Sequence, residues 1–125
     1  MSNADIVRSL YERWARGENP GEVYDPDVEW SMPHPGGQVK GRDEVVAFLR
    51  SFMGAWEEHV MEIEDVRELE DGRVLVFFTE RGRGRQSGVE TAAHPAAFWT
   101  LRDGKVTRFE AFGDRDEARR LAGLD

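Results

Sequence analysis

The fold is decided by the stretch Phe98-Trp-Thr-Leu-Arg-Asp-Gly-Lys-Val-Thr-Arg-Phe-Glu-Ala-Phe112, near the end of the 125-residue chain. Two apolar runs rich in β-forming residues flank Asp103-Gly104, the dipeptide that most readily adopts the positive φ angles of a tight hairpin turn. Immediately afterwards, Asp114 and Glu117 have the spacing of a capping box, which starts a helix. The sequence therefore predicts a long closing hairpin followed by a terminal helix.

Composition and charge limit the class of protein. Apolar residues make up 39% and charged residues 34% of the chain, which is typical of a folded globular protein, and the length fits one domain over residues 1–125. The formal net charge of −8 argues against nucleic acid or an anionic membrane as the main partner. The absence of cysteine excludes disulfides, thiolate metal sites and cysteine nucleophiles.

Neither the apolar runs nor the first residues of the sequence have the pattern of a targeting signal. The longest apolar run, Val74 to Phe78, is far too short to span a bilayer. The first residues, Met-Ser-Asn-Ala-Asp, lack the basic and apolar regions of a signal peptide. We therefore expect a cytoplasmic protein that does not enter a membrane.

Two helices are predicted in the first half of the chain. Asn3 is the expected N-cap of the first helix, whose apolar residues repeat with helical period. The second helix is predicted from Gly41 to Trp56, where apolar residues follow the i, i+3, i+4 rule, so that it packs across a sheet. Between them, Asn19-Pro20-Gly21 starts a short turn or helix that Pro26 ends.

The remaining segments read as strands. A brief strand carries Val28 and Trp30 on one face, and residues 33–37 form a loop. Four longer strands follow the second helix, over residues 59–69, 74–82, 89–102 and 105–112. This order predicts an α+β fold, with a curved antiparallel sheet and helices packed over its concave face.

Short motifs along this order match a known family. They are Tyr11-Glu-Arg-Trp-Ala-Arg-Gly17, Asp25-Pro-Asp-Val-Glu-Trp30, Gly41-Arg-Asp-Glu-Val-Val46, Arg81-Gly-Arg-Gly84 with Ser87-Gly88, and Trp99-Thr-Leu-Arg-Asp-Gly-Lys105. In this order and spacing, they resemble the SnoaL-like branch of the nuclear transport factor 2-like (ketosteroid isomerase-like) superfamily. The resemblance implies a cystatin-like, cone-shaped α+β barrel, a pocket between the helices and the concave sheet, and a homodimer through the outer sheet face.

The superfamily contains polyketide cyclases, ketosteroid isomerase, dehydratases, epoxide hydrolases and binding modules, so the resemblance alone does not fix the function. In ketosteroid isomerase the base follows a Val-Glu pair on the first strand, whereas here Val28-Glu29 is followed by Trp30. The position of its oxyanion-stabilising acid falls at Ala96 or Ala97, and its first-helix tyrosine maps one place from Tyr11. We therefore do not expect steroid isomerase chemistry by that route.

Three residues are candidates for catalysis: Glu110, Glu80 and His34. The cyclase and epoxide hydrolase branches resemble each other in a carboxylate on the last strand, which points to Glu110, with a solvated or ion-paired place on the convex face as the alternative. Glu80 shares a face with the apolar residues of the strand 74–82. It is a buried base if that face lines the pocket, and otherwise it marks where the strand leaves the core. His34 lies in the loop after the first strand, within reach of the pocket mouth.

Aromatic and polar side chains are the candidates for holding a substrate, although most of the aromatic ones also suit a solid core. The candidates are Tyr11, Trp14, Trp30, Phe52, Trp56, Arg81, His94, Trp99 and Phe112. Trp30 stands out because it occupies the catalytic position of the isomerase. Arg81 is suited to orienting a substrate oxygen, and His94 lies in a strand from which it could point inward. His59 follows two glutamates and is expected at the surface.

Other motifs favour structural roles. Asp114 is expected to cap the terminal helix. The Arg81-Gly-Arg-Gly-Arg85 tract resembles RNA-binding segments, but in an acidic chain an exposed strand end at a dimer edge is favoured. No histidine and carboxylate pair has the spacing of metal ligands, so we expect no metal and no cofactor.

The sequence thus predicts a SnoaL-like protein that binds a small hydrophobic organic molecule in an apolar cone. Any catalysis is expected to be cofactor-free proton transfer of the cyclase, isomerase, dehydratase or epoxide hydrolase type. Two alternatives stay open: a binding module that kept the pocket without the catalytic carboxylates, and a scaffold whose sheet face recruits another protein. A buried, unpaired carboxylate facing a cavity favours the enzyme, and an all-aromatic lining favours binding.

Overall fold

The computed structural model describes residues 1–33 and 37–124 and shows three helices and seven strands in that part of the chain. The helices are α1 (Asn3–Ala15), α2 (Arg42–Gly54) and α3 (Arg115–Ala122), with a short 3-10 turn at Gly21–Val23. The strands are β1 (Tyr24–Ser31), β2 (Gln38–Lys40), β3 (Trp56–Glu68), β4 (Val74–Gly84), β5 (Glu90–Ala93), β6 (Ala96–Arg102) and β7 (Lys105–Phe112).

The strands form one sheet in the order β2-β1-β7-β6-β4-β3, and β5 pairs with β4. The predicted meander is confirmed, since β3, β4, β6 and β7 follow one another in antiparallel pairs. The sheet is mixed because β1 lies parallel to β7. A parallel pair needs a long connection, and here the chain passes through α2 and the meander before it returns beside β1. The α+β class is confirmed.

The closing hairpin turns where the sequence predicts. Asp103 has a φ angle of 52° and Gly104 one of 79°. Positive φ at both central residues is the geometry of a type I′ turn, which matches the twist of the two strands it joins. The strand after the turn, β7, has the predicted bounds.

Alternating residues of β4 divide the interior into two cores. Val74, Val76 and Phe78 belong to a cluster with residues of α1 and α2, whereas Leu75 and Phe77 belong to a second cluster with α3. Successive side chains of a strand point to opposite faces of the sheet. The sheet therefore has one face covered by α1 and α2, which we call the inner face, and an opposite face beneath α3, which we call the outer face.

Two helix boundaries differ from the prediction. Ser2, and not Asn3, caps α1, because Ser2 and Asp5 form a capping box while the Asn3 amide donates to the carbonyl of Gly72, 2.9 Å away. Helix α2 ends at Gly54, and Trp56 begins β3. The Arg85 guanidinium donates to the carbonyls of Gly54 and Trp56, so the β4–β5 connection fixes the chain as it leaves the helix.

Two prolines explain where the observed strands differ from the predicted ones. The predicted strand over 89–102 is divided at His94-Pro95 into β5 and β6. Pro26 lies within β1 and does not end a turn before it; it falls at a register shift between Tyr24 and Glu29. Proline has no N–H to give to a ladder, so it is tolerated at such irregular positions.

Arg115 ties α3 to the outer face of the sheet. Its guanidinium donates to the carbonyls of His94 and Phe78, at 2.8 and 2.9 Å, and to the Glu64 carboxylate. The Thr79 hydroxyl also donates to Glu64, at 2.6 Å. The hydrogen bonds from Arg115, and then from Thr79, lower the pKa of Glu64 from 4.5 to about 2.

Among the described helices, none is both long and apolar enough to cross a bilayer.

Replacing Arg115 with glutamine should raise the pKa of Glu64 towards 4.5, because the largest cause of its depression is removed. A carboxyl group with a lowered pKa stabilises the fold above its unfolded pKa, and this contribution disappears as the pH falls through the folded pKa. The stability difference between wild type and Arg115→Gln should therefore shrink between pH 4.5 and about 2. Carboxyl NMR titration and urea unfolding measure both effects. Arg119→Gln is the matched control, and an unchanged Glu64 titration in Arg115→Gln would contradict the assignment.

Trp56 at the start of β3 depends on a glycine in the neighbouring strand. A methyl group on Gly82 would lie 2.4 Å from Cε3 and 2.6 Å from Cζ3 of Trp56, and 2.8 Å from the Glu58 carbonyl oxygen. Such distances are far below van der Waals contact. The six-membered ring of Trp56 thus rests directly over the backbone of β4, which only glycine permits.

The substitution Gly82→Ala should lower the free energy of unfolding by about 1–3 kcal/mol, the usual cost of overpacking, and displace the Trp56 ring. Urea unfolding with tryptophan fluorescence measures both changes. Gly54→Ala is the control, since a methyl group there meets no atom within 4 Å and should be neutral or stabilising. Equal unfolding midpoints for Gly82→Ala and wild type would show that Trp56 does not pack there.

Candidate functional site

A cavity of about 260 Å³ lies between α1, α2 and the inner face of the sheet. This volume is just below the usual range for small-molecule sites, about 300–1,000 Å³. Its lining is formed by Tyr11, Trp14, Trp30, Met32, Pro33, Phe48, Leu49, Phe52, Met53, Trp56, His59, Met61, Phe78, Glu80, Ala93, Pro95, Phe109, Ala111 and Gly113. Apolar and aromatic side chains predominate, so the cavity suits a hydrophobic guest.

The periods of the helices and strands place these side chains on the faces that surround the cavity. Tyr11 and Trp14 are three residues apart on α1, and Phe48 and Phe52 are four apart on α2, so each pair lies on one face of its helix. The strands contribute alternate residues, such as Phe78 and Glu80 of β4, because alternate side chains of a strand point to the same face of the sheet. Both helices and the inner face of the sheet therefore supply walls.

The aromatic side chains that line the cavity pack on one another. Trp30 stacks on Phe109 with ring centres 4.1 Å apart, and Trp56 stacks on the imidazole of His59 at 4.8 Å. Phe52 meets the rings of Trp56 and His59 edge to face, at 5.9 and 5.7 Å. Such pairs add stabilisation beyond the burial of area, so these rings hold defined positions around the cavity.

His59 and Glu80 form the polar centre of the cavity. The Nε2 atom of His59 lies 3.0 Å from the Glu80 carboxylate, and the two side chains are 15% and 23% exposed. Glu80 lies on the face shared by Val76 and Phe78, as the alternation of β4 predicts. The carboxylate accepts only, so the proton between the two groups belongs to Nε2 when Glu80 is ionised. The structure shows no hydrogen bond from Nδ1 to the described residues.

His59 is the residue that the sequence prediction missed. It was expected at the surface, because Glu57 and Glu58 precede it, but its ring packs among Trp56 and Phe52. The register shift between Trp56 and Glu58 turns both Trp56 and His59 towards the cavity. The alternation of His59, Met61 and Ile63 was the available signal, since Met61 and Ile63 pack against the inner core.

Tyr11 supplies the other titratable group of the described lining. Its hydroxyl oxygen accepts a hydrogen bond from Trp99 Nε1 at 3.3 Å. Burial raises the pKa of Tyr11 far above its ordinary value, and the charge of Glu80 adds to this. Tyr11 therefore keeps its proton at all physiological pH values and is an O–H donor.

Six of the candidate residues meet in this cavity, and others do not. The lining contains Tyr11, Trp14, Trp30, Phe52, Trp56 and Glu80. Trp99 is fully buried in the core and serves the site through its bond to Tyr11. His34 lies outside the described residues. Asp114 caps α3 as predicted, accepting from the backbone N–H of Asp116 and Glu117.

Glu110 does not reach the cavity. It pairs in register with Phe98, a member of the outer core, and its carboxylate lies 3.2 Å from the guanidinium of Arg108. Phe112 also lies on the outer face, where its ring packs edge to face on Phe98 at 5.7 Å. The placement of both residues in the pocket was wrong, because an irregularity in β7 reverses which residues face inward.

Arg81 and His94 also lie away from the cavity. Arg81 follows Glu80 and so points to the outer face, where it pairs with Glu62 at 2.9 Å in an exposed ion pair. His94 is exposed between β5 and β6, with Nδ1 3.3 Å from the Thr79 hydroxyl. Among the described residues, no group of three histidine, aspartate or glutamate side chains is placed to hold a metal ion.

Comparison with known proteins gives the family. The family model described as a SnoaL-like domain matches residues 7–109. An NTF2-like protein of unknown function from Burkholderia pseudomallei K96243 is 30% identical, with 98% of each chain covered and a TM-score of 0.79. TerC, solved with polyporic acid, is 25% identical, with 97% of this chain and 98% of TerC covered and a TM-score of 0.74.

A third structure, provisionally assigned as a SnoaL-like polyketide cyclase from Jannaschia sp. CCS1, shares the fold at 19% identity, with 98% and 92% coverage and a TM-score of 0.76. No curated protein is significantly similar to this chain in sequence. The match of the family model over most of the chain confirms the resemblance drawn from the motifs. The chain belongs to the SnoaL-like domain family.

Proposed function

We propose that this protein binds a small, flat, hydrophobic molecule in the cavity and moves a proton on it without a cofactor, with His59 as the base. The observation that carries the proposal is the His59–Glu80 pair, 3.0 Å apart in an otherwise apolar and aromatic lining. General acid–base catalysis uses an imidazole held by a carboxylate within hydrogen-bond distance, and this pair has that geometry in a cleft. The reaction class is cyclisation, isomerisation, dehydration or epoxide opening.

His59 is suited to accept a proton at Nδ1. The Glu80 carboxylate accepts the Nε2 proton, which leaves the lone pair on Nδ1. When Nδ1 takes a proton from a carbon acid, the imidazole becomes positively charged, and the adjacent carboxylate stabilises that charge. In an isomerisation or an intramolecular cyclisation, the same proton then returns to another atom of the bound molecule, whereas a dehydration releases one water molecule and the hydrolytic opening of an epoxide consumes one. Glu80 acts here through His59, as the positioning and charge-balancing group.

Tyr11 is suited to stabilise the negative charge that the substrate gains. Removal of a proton beside a carbonyl group places charge on the carbonyl oxygen. The Tyr11 hydroxyl already accepts a bond from Trp99 and retains its own proton for donation. A fixed donor in a water-poor cavity stabilises such an oxyanion more strongly than water does.

The comparisons support the binding half of the proposal. TerC, solved with polyporic acid, shares the fold over nearly the whole chain. That ligand indicates that the fold can accommodate an organic acid, and we extend this class of guest to the present cavity. The predicted homodimer through the sheet, the cytoplasmic location and the absence of nucleic-acid binding remain predictions from charge and family resemblance.

A non-catalytic binding module is the second candidate. Trp30 fills the position where ketosteroid isomerase has its base, and it is buried against Phe109 with no carboxylate in that place. On this alternative, the His59–Glu80 pair only fixes the orientation of a bound molecule. The two candidates differ in whether His59 removes a proton.

Elimination of 5-nitrobenzisoxazole tests the base without knowledge of the natural substrate. A base removes the C3 proton, the N–O bond breaks, and the coloured 2-cyano-4-nitrophenolate is released. We expect wild type to accelerate this reaction and His59→Gln to lose about 100-fold or more, the usual contribution of a general base. Glu80→Gln should lose at least about tenfold, because His59 then lacks its orienting carboxylate.

Glu110→Gln is the matched control, since it removes a carboxylate from the outer face and should leave the rate unchanged. Circular dichroism checks that each variant is folded. Rates for His59→Gln and Glu80→Gln equal to wild type would refute the assignment. Saturable binding of the probe by wild type without any rate enhancement would favour the binding module.

A further inference from the structure

The tract Arg81-Gly-Arg-Gly-Arg85 lies beside the first residues of β3. Within it, Gly82 pairs in register with His59, and Gly84 pairs with Trp56. The six-membered ring of Trp56 rests over the backbone of Gly82. The end of β4 therefore contacts the segment that brings the stacked rings of Trp56 and His59 to the cavity.

Arg85 makes three hydrogen bonds to this segment. Its backbone N–H donates to the Ala55 carbonyl, at 2.9 Å. Its guanidinium donates through Nε to the Gly54 carbonyl, at 3.3 Å, and through Nη2 to the Trp56 carbonyl, at 3.1 Å. One residue thus holds three consecutive carbonyl groups at the point where α2 ends and β3 begins.

The junction benefits from these donors because a helix end and an irregular ladder meet there. The carbonyl groups that end a helix have no partner inside it, and a nearby cation stabilises them. Among the described residues of α2, the last turn contains no basic side chain. The register of β3 against β4 also shifts between Trp56 and Glu58. The Arg85 guanidinium therefore supplies the positive charge and two of the donors that hold this junction.

We propose that Arg85 is a positioning residue, which holds the imidazole of His59 in the orientation that the proton transfer requires. It acts through Trp56, whose ring lies 4.8 Å from the imidazole, centre to centre, and 20° from parallel with it. By fixing the backbone of Trp56, Arg85 fixes the surface on which the imidazole rests. The inference rests on the proposed function, because it concerns the same base.

The orientation of the imidazole matters because both of its nitrogens have a task. Nε2 lies 3.0 Å from the Glu80 carboxylate, and Nδ1 is the atom proposed to accept the proton. A tilt of the ring moves one nitrogen away from the carboxylate and the other away from the substrate. A misplacement of about 1 Å can cost about 100-fold in rate, so a distant support of the ring affects the reaction.

Elimination of 5-nitrobenzisoxazole tests this role in the full-length protein. Arg85→Ala should lower kcat about tenfold, since the base is present but poorly aligned. KM should stay nearly unchanged, because the Arg85 side chain is exposed and does not line the cavity. Arg85→Lys should recover part of kcat, because lysine keeps the charge but lacks the planar fork that reaches two carbonyls.

Arg81→Ala is the matched control. It removes an arginine of the same tract, whose guanidinium forms an exposed ion pair with Glu62 on the outer face, and it should leave kcat unchanged. Proton NMR gives a readout that is independent of activity. The indole face shields the ring protons of His59, so these signals should move downfield in Arg85→Ala and not in Arg81→Ala. The His59→Gln variant identifies the signals.

The outcomes separate this inference from the proposed function. Unchanged kcat in Arg85→Ala, or a fall in kcat without movement of the His59 signals, would overturn the positioning role and leave the base assignment standing. An equal fall in kcat in Arg81→Ala would also overturn it, because the loss of positive charge alone would then be the cause. If wild type does not accelerate the elimination, the base assignment fails. Movement of the His59 signals in Arg85→Ala would then still support the hold of Arg85 on the imidazole.

Discussion

The alternation of side chains along β4 is the constraint on which the rest of the structure depends. It places Phe78 on the floor of the cavity and Phe77 in the core beneath α3. The same alternation brings Glu80 to His59 and sends Arg81 to an ion pair on the outer face. A register shift of one residue would exchange the faces, and it would put a guanidinium among aromatic rings while removing the carboxylate from the cavity.

The hollow over the inner face persists because its walls are large, flat and mutually supported. Protein interiors normally close around empty space, since each void forfeits van der Waals contacts. Here Trp30 is held between Phe109 and Tyr24, and Phe52 between Phe48 and the Trp56–His59 stack. Closing the cavity would separate rings that already pack on one another. The site is thus pre-formed, which reduces the ordering that a ligand must impose.

The sequence predicts correctly the features that depend on local pattern. It fails where a β-bulge changes which residues of a strand face the inner side of the sheet. The turn at Asp103 follows from dipeptide chemistry, and the face that Glu80 shares with Val76 and Phe78 follows from an unbroken alternation. In β7, both Val106 and Phe109 belong to the inner core, three residues apart, next to the register shift opposite Thr100. Strict alternation from Val106 would carry Glu110 inward, whereas the bulge carries Phe109 inward and Glu110 out. His59 was missed for the same reason, at the shift that begins β3.

The polar centre lies away from the position that the family resemblance gives for the isomerase base. Trp30, which the family resemblance places at the isomerase position of the base, lies on β1, whereas His59 and Glu80 lie on β3 and β4, towards the other end of the sheet order. Under the proposed function, the base would therefore approach the substrate from a different wall of the same cavity. In the proposed reaction, a guest whose reacting carbon faces His59 would extend its remaining atoms towards β1, where the stacked rings of Trp30 and Phe109 line the cavity. The shared fold thus does not by itself decide which wall of the cavity carries the polar pair, and in this chain β3 and β4 carry it.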